Sequence, residues 1–215
     1  MTDKLLDVLK EKYTLTKLDA GEFASLKASG MKFSVEAYRA EGLGHVSVMR
    51  AKGFFGLMKM DTLMIVPTDI DLPLYSYDRI YAMGNDTLIV ELYNTLITDT
   101  DLSALDGVKA KFADLPERDP GEHWYDSIKL AQSISKKGKK ALKNSFDAFA
   151  EAHFNAYINT NADQVTATAE KKELSARYVD GLLSQGGPST DVFKKELGQE
   201  KTSLLFKRVL FGTDL

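Results

Sequence analysis

Between residues 31 and 96 the sequence is a succession of short β-patterned runs separated by turn residues, and no other feature constrains the fold as tightly. The runs are MKFSVEAYRA, GHVSVMRAK, LMKMDTLMIV, LPLYSYDRIYAM and DTLIVELYNTL, punctuated by Gly53, the Pro67–Asp71 stretch and Gly84-Asn85-Asp86. Short turns between consecutive strands predict an antiparallel meander. The third and fourth runs are apolar on both faces. Met58, Met60, Met64 and Val66 share one face, and Leu57, Leu63 and Ile65 the other. Antiparallel sheets usually leave one face wet, so both faces here call for helical cover. The flanks supply it: helices are predicted over 3–13, 19–29, 101–114, 122–135, 139–158, 162–185, 188–197 and 200–210, with Gly186-Gly187-Pro188 as a break. The expected fold is α/β, a three-layer α/β/α sandwich around a central antiparallel sheet. With 215 residues, 44% of them apolar, one domain over 1–215 is expected.

Several chemistries are excluded by composition. There is no cysteine, which rules out disulfides, thiol catalysis and thiolate-bound zinc or iron–sulfur clusters. A formal net charge of −3 argues against nucleic acid as a partner. No apolar run approaches the ~18 residues of a membrane span, and the first residues lack the apolar core of a signal peptide. The expectation is a cytoplasmic protein with neither nucleic acid nor membrane as partner. His123 and His153 have no metal-ligand spacing and read as structural or exposed.

Acids inside the sheet are the chemical feature. A turn centred between Asp69 and Ile70 places Asp61 opposite Asp78, and a hairpin closing on Gly84-Asn85 places Asp78 opposite Glu91. All three carboxylates then share one face, with Leu63, Ile65, Leu74, Ile80 and Ile89 beside them. Opposed residues lie only ~5 Å apart at Cβ, so three such acids cannot all ionise, and one becomes a proton donor near neutral pH. A slip of one residue would instead send one acid to the other face, and Lys59 or Arg50 would neutralise the pair. Tyr75, Tyr77 and Tyr81 fall on the face opposite Asp78 and read as core.

The segment from His45 to Thr95 resembles the core of the ferredoxin-dependent bilin reductases. Leu72-Pro73-Leu74 through Asp78 fits the family's Leu-Pro strand ending in aspartate, and Glu91-Leu92-Tyr93-Asn94-Thr95 fits the strand that follows. Arg118, Pro120 and Trp124 are similar to a basic residue before a Pro-Trp element. ARYVDGLLSQGGPSTDVFKKELGQEKTSLLFKRVLF has the order of the family's C-terminal helices. The resemblance covers roughly 44–215 and implies the same sandwich fold. It implies a linear tetrapyrrole such as biliverdin held between sheet and C-terminal helices, single electrons from ferredoxin, and no permanently bound cofactor and no metal. It gives Asp78 the role of proton donor or relay.

Where one branch of the family has a histidine facing the aspartate, an ungapped count gives Asp61 here, and a turn one residue shorter gives Thr62. A second aspartate of other branches is missing at Gly187-Pro188-Ser189, so Asp61 or Glu91 is the substitute; the alternative is a tetrapyrrole binder without turnover. His45 matches a pocket histidine of some members, Trp124 is placed to stack on a tetrapyrrole, and Arg118 to pair with a propionate. Arg50, in mid-strand, lines a pocket or pairs with an acid. The five lysines of Lys136–Lys143, read as a helix start, offer a docking patch for acidic ferredoxin.

Overall fold

A computed structural model describes residues 1–215, the side chain of Pro188 excepted. Its order is α1 (Thr2–Lys12), β1 (Leu15–Leu18), β2 (Ser25–Ala28), β3 (Met31–Ala40), β4 (Gly44–Gly53), β5 (Met58–Pro67), β6 (Leu74–Ala82), β7 (Asn85–Tyr93), α2 (Ser103–Lys111), β8 (Ile134–Lys139), α3 (Lys143–Ile158), α4 (Thr168–Gln185), α5 (Pro188–Leu197) and α6 (Gln199–Leu204). Beyond α6 the chain widens into an i→i+5 turn over Leu205–Leu210. The eight strands form one antiparallel sheet in the order β1-β3-β4-β5-β6-β7-β8, with β2 also paired to β3. The five runs read as strands from the sequence are its centre.

Each face of the sheet carries its own apolar core. Leu63, Ile65, Tyr75, Tyr77, Leu88 and Val90 pack with Leu5 and Leu9 of α1, Leu105 of α2 and Phe146, Phe149 and Phe154 of α3. Phe33, Val35, Met49, Met64, Leu74 and Tyr93 pack with Tyr178 and Val179 of α4, Phe193 of α5 and the C-terminal Phe206, Leu210 and Phe211. Burial of both faces explains the double-sided apolar runs of β5 and β6. Among the described residues no helix is long and apolar enough to cross a membrane.

Two expected helices are not helices. Over 19–29, Asp19 accepts the Gly21 N–H and Gly21 takes a positive φ, and only a short 3₁₀ turn, Gly21–Ala24, follows before the chain becomes extended at Ser25. The remainder alternates, with Leu26 and Ala28 buried and Ser25 and Lys27 exposed, and pairs with β3 as β2. Over 122–135 there is one 3₁₀ turn, Trp124–Ile128, and the start of edge strand β8. The lysines from 136 therefore begin on a strand. Lys136 itself is buried under Phe149, and its ammonium is taken by Glu117 and the Leu115 carbonyl.

Register also departs from expectation. The β5–β6 connection is centred on Ile70, so Ile65 faces Tyr75, Thr62 faces Asp78 and Asp61 faces Arg79. The shift of one residue turns Asp61 to the other face of the sheet. The cause is tertiary. Lys171 of α4, fully buried, binds the Asp71 carboxylate at 2.7 Å and the carbonyls of Leu72 and Thr95, each at 2.7 Å, while Asp71 also accepts from Ile97 and Thr98. The β6–β7 hairpin turns on Met83-Gly84, both with positive φ as a type I′ turn requires. Asp78 consequently faces Ile89, and Glu91 faces Ser76.

Candidate functional site

The face of the sheet beneath α4, α5 and the C-terminal segment carries a cavity of about 210 Å³. Met60, Thr62, Ser76, Asp78, Ile89 and Glu91 form its sheet side. Arg118, Pro120, His123 and Tyr125 close one flank, and Tyr178, Leu182, Thr190, Phe206 and Phe211 cover it. Strand periodicity puts these residues together: even positions of β5 and β6 and odd positions of β7 share a face.

Asp78 lies deep among apolar neighbours, and the cavity is where its carboxyl is reached. Burial pushes its pKa up to about 6; the Thr62 hydroxyl, which donates to Oδ1, opposes the rise and the charge of Glu91 adds to it. Glu91 is the diagonal neighbour of Asp78, two positions beyond Ile89 on the same face, at a distance of roughly 7–8 Å for such pairs. Its carboxylate accepts a 2.6 Å hydrogen bond from Tyr93 Oη and sits 3.9 Å from Lys129 Nζ. Tyr93 stacks on Tyr178 at 4.1 Å between centroids, and Tyr125 meets both edge-on. One side of the cavity is thus aromatic and the other carries an acid that is half protonated near pH 6.

The residues expected to act divide clearly. Asp78, Glu91 and Arg118 line the cavity. Arg118 donates to Ser135 Oγ at 3.2 Å and has no carboxylate partner among the described residues. Asp61 does not line it: on the opposite face it neighbours Lys59 and Arg79 in a separate, charged depression. Arg50 is also on that face, paired with Glu36 at 2.9 Å and with Asp3. His45 faces the cavity side of the sheet but is buried at its far end, Nε2 against the Val209 carbonyl at 2.8 Å. Burial lowers its pKa to about 4, so it is neutral. Trp124 is wedged on α4, where a Cβ at Gly181 would fall 2.2 Å from its ring, and its Nε1 donates to Gly186 O. It does not line the cavity but props Tyr125, which does.

Sequence reasoning gave no cavity role to His123, which it read as structural or exposed, nor to Tyr178. His123 lines the wall, its ring stacked 4.8 Å from Tyr125 and its Nδ1 without a partner among the described residues. Tyr178 was hidden in an ordinary amphipathic helix. Neither has a local signal; both are brought to the site by the packing of distant segments. His153 is structural, bonded to the Gln132 carbonyl and near Tyr75 Oη.

No protein-family model matches the chain, and no curated protein matches it by sequence. Among solved structures it is similar to phytochromobilin synthase from tomato in complex with biliverdin, with a TM-score of 0.73 and 15% identity, over 99% of this chain and 83% of that one. At that identity the likeness is one of fold.

Proposed function

We propose that this chain is a bilin reductase-like oxidoreductase: it binds an open-chain tetrapyrrole such as biliverdin in the cavity beside Asp78 and reduces it with electrons from ferredoxin. Residues 1–215 then form one domain, a three-layer α/β/α sandwich, with the guest between the sheet and the C-terminal helices. The observation that carries the reading is Asp78, a carboxyl on the floor of a cavity walled largely by apolar and aromatic side chains, with its pKa raised to about 6. The similarity to a fold solved with biliverdin supports it.

The chemistry asked of the residues is limited. A two-electron reduction of a conjugated bilin takes up two electrons, delivered singly, and two protons. Asp78 in its acid form gives a proton to the guest, and as an anion it stabilises the cationic, more readily reduced bilin. The Thr62 hydroxyl holds Oδ1 of the carboxyl, and Ser76 also bonds it. Glu91 is the acid on the same face for the second proton, whereas Asp61 is behind the sheet. Arg118, free of carboxylates, suits a propionate, and Tyr178 and Tyr125 suit a flat π-system.

Biliverdin added to the protein should change its absorption spectrum, and reduced ferredoxin should then convert the pigment. Asp78→Asn should keep the first change and slow the second by roughly 10²–10⁴-fold, the usual worth of a positioned acid. Turnover undiminished by that substitution would refute the role of Asp78. A second reading, binding without turnover, rests on the Gly187–Thr190 corner of the cavity, which supplies no carboxylate; a spectral change without conversion would favour it.

A further inference from the structure

We propose that the hairpin end of the sheet docks onto the surface of an anionic lipid bilayer. Three adjacent hairpins, β2–β3, β4–β5 and β6–β7, turn at this end, through Ser29-Gly30, Phe54-Phe55-Gly56 and Met83-Gly84. Their tips carry Phe54, Phe55, Leu57 and Met83, all exposed, with Phe55 entirely so. The Met83 N–H donates to the Leu57 carbonyl, so two of the tips are joined. These four are most of the large apolar side chains the protein leaves in water. Among the described residues every non-glycine with positive φ, Ser29, Phe54, Phe55 and Met83, lies in these turns. Phenylalanine and methionine are poor choices for that conformation, which favours Gly or Asn. Phe54 rests partly over Gly30, but nothing in packing or turn chemistry asks for Phe55 or Met83 there.

Behind the tips runs a row of lysines. Lys27 faces Lys32, Lys32 faces Lys52 and Lys52 faces Lys59, so four ammonium groups sit side by side across β2, β3, β4 and β5. All four are exposed, and like charges placed directly opposite destabilise a sheet. Among the described residues none has an ion-pair partner; the nearby acids are taken by other cations, Glu36 by Lys17 and Arg50, Asp3 by Arg50, Asp86 by Arg79, and Asp61, beside Lys59, by the Met1 amino group at 3.9 Å. Lys139 and Lys140 add charge at the same end of β8.

The occupant follows from shape and depth. The apolar side chains project from the tips of hairpin turns, which suits insertion between lipids. The lysine row lies at most about 10 Å behind the Phe55 tip at ~3.3 Å per residue, which matches an apolar element sunk ~5–10 Å into the headgroup region with ammonium groups at the phosphates. The absence of a spanning helix concerns crossing a bilayer, not resting on one.

Sedimentation of the full chain with vesicles tests this. Binding is expected to phosphatidylcholine vesicles containing phosphatidylserine, to be lost at high salt, and to be absent with phosphatidylcholine alone. Each lysine removed from the row should weaken binding by roughly fivefold. Lys52→Glu would pair with both its neighbours, and Phe55→Asn suits the backbone, so both variants should melt no lower than the parent while losing vesicle binding. Failure to bind anionic vesicles, or binding that survives both substitutions, would overturn the proposal. So would capture of an acidic protein through these residues without any vesicle binding.

Discussion

Asp78 shows how much one residue's environment decides. Its folded pKa of about 6 lies above the unfolded value near 3.8, so the native state binds more protons between those limits. Stability therefore falls as pH rises through that window and stays lowered above it. Asp78→Asn removes the cost of a charged buried carboxyl. It should be more stable than the parent at pH 8, by at most about 3 kcal/mol given the gap between those two values, and the advantage should vanish near pH 4; urea melts at both pH values measure this. The proposed reduction needs the acid form, so its rate should fall as pH rises above 6, and a pH–rate profile flat to pH 8 would contradict the assignment. Gly181 is equally decided by its neighbour. Gly181→Ala collides with Trp124 and should cost about 1–3 kcal/mol, read from the denaturation midpoint.

At the scale of elements, the decisive contact joins the β5–β6 connection to α4. Burial alone would raise the pKa of Asp71, but Lys171, the Thr98 hydroxyl and the Ile97 N–H outweigh it and hold its carboxyl below the usual range. The same bonds fix the turn on Ile70 and so place Thr62, not Asp61, against Asp78. Lys171→Met leaves Asp71 buried without its cation and should cost roughly 3–5 kcal/mol. It should also loosen the register of β5 on β6, seen as faster amide exchange in both strands. The hairpin tips stand at the other extreme. Phe55 at φ 55° with no packing partner makes Phe55→Asn neutral or stabilising by up to ~1 kcal/mol, a difference measurable by thermal melting.

For the whole molecule, the two faces of the sheet do different work. The face under α1, α2 and α3 is closed by aromatic packing, with Tyr75 on Tyr157 at 4.5 Å and Phe112 stacked on Phe149 at 4.7 Å. The face under α4, α5 and the C-terminal turn is incompletely filled, and that deficit is the cavity. A ligand that occupies it should stabilise the native state by roughly 2.7 kcal/mol at a hundredfold excess over Kd. Saturating biliverdin should accordingly raise the melting temperature, and an unchanged midpoint would place any pigment binding outside the cavity.

The five central strands, their antiparallel order, the double-sided burial and the presence of an acid on an inner face were all legible in the sequence, because side-chain alternation and turn residues act locally. The two misread helices were not. Residues 19–29 and 122–135 are too short and too polar for periodicity to choose, and the pairing of β2 with β3 and of β8, from Ile134, with β7 chose strand at their ends. Which acids share the cavity was not legible either. A strand's register hinges on one residue in a turn, and that residue was set by Lys171, a hundred positions away. His123, Tyr178 and Arg118 came to the cavity by the same route, through packing of segments that carry no mark of each other. Local pattern determined the sheet; long-range contacts decided which of its side chains meet.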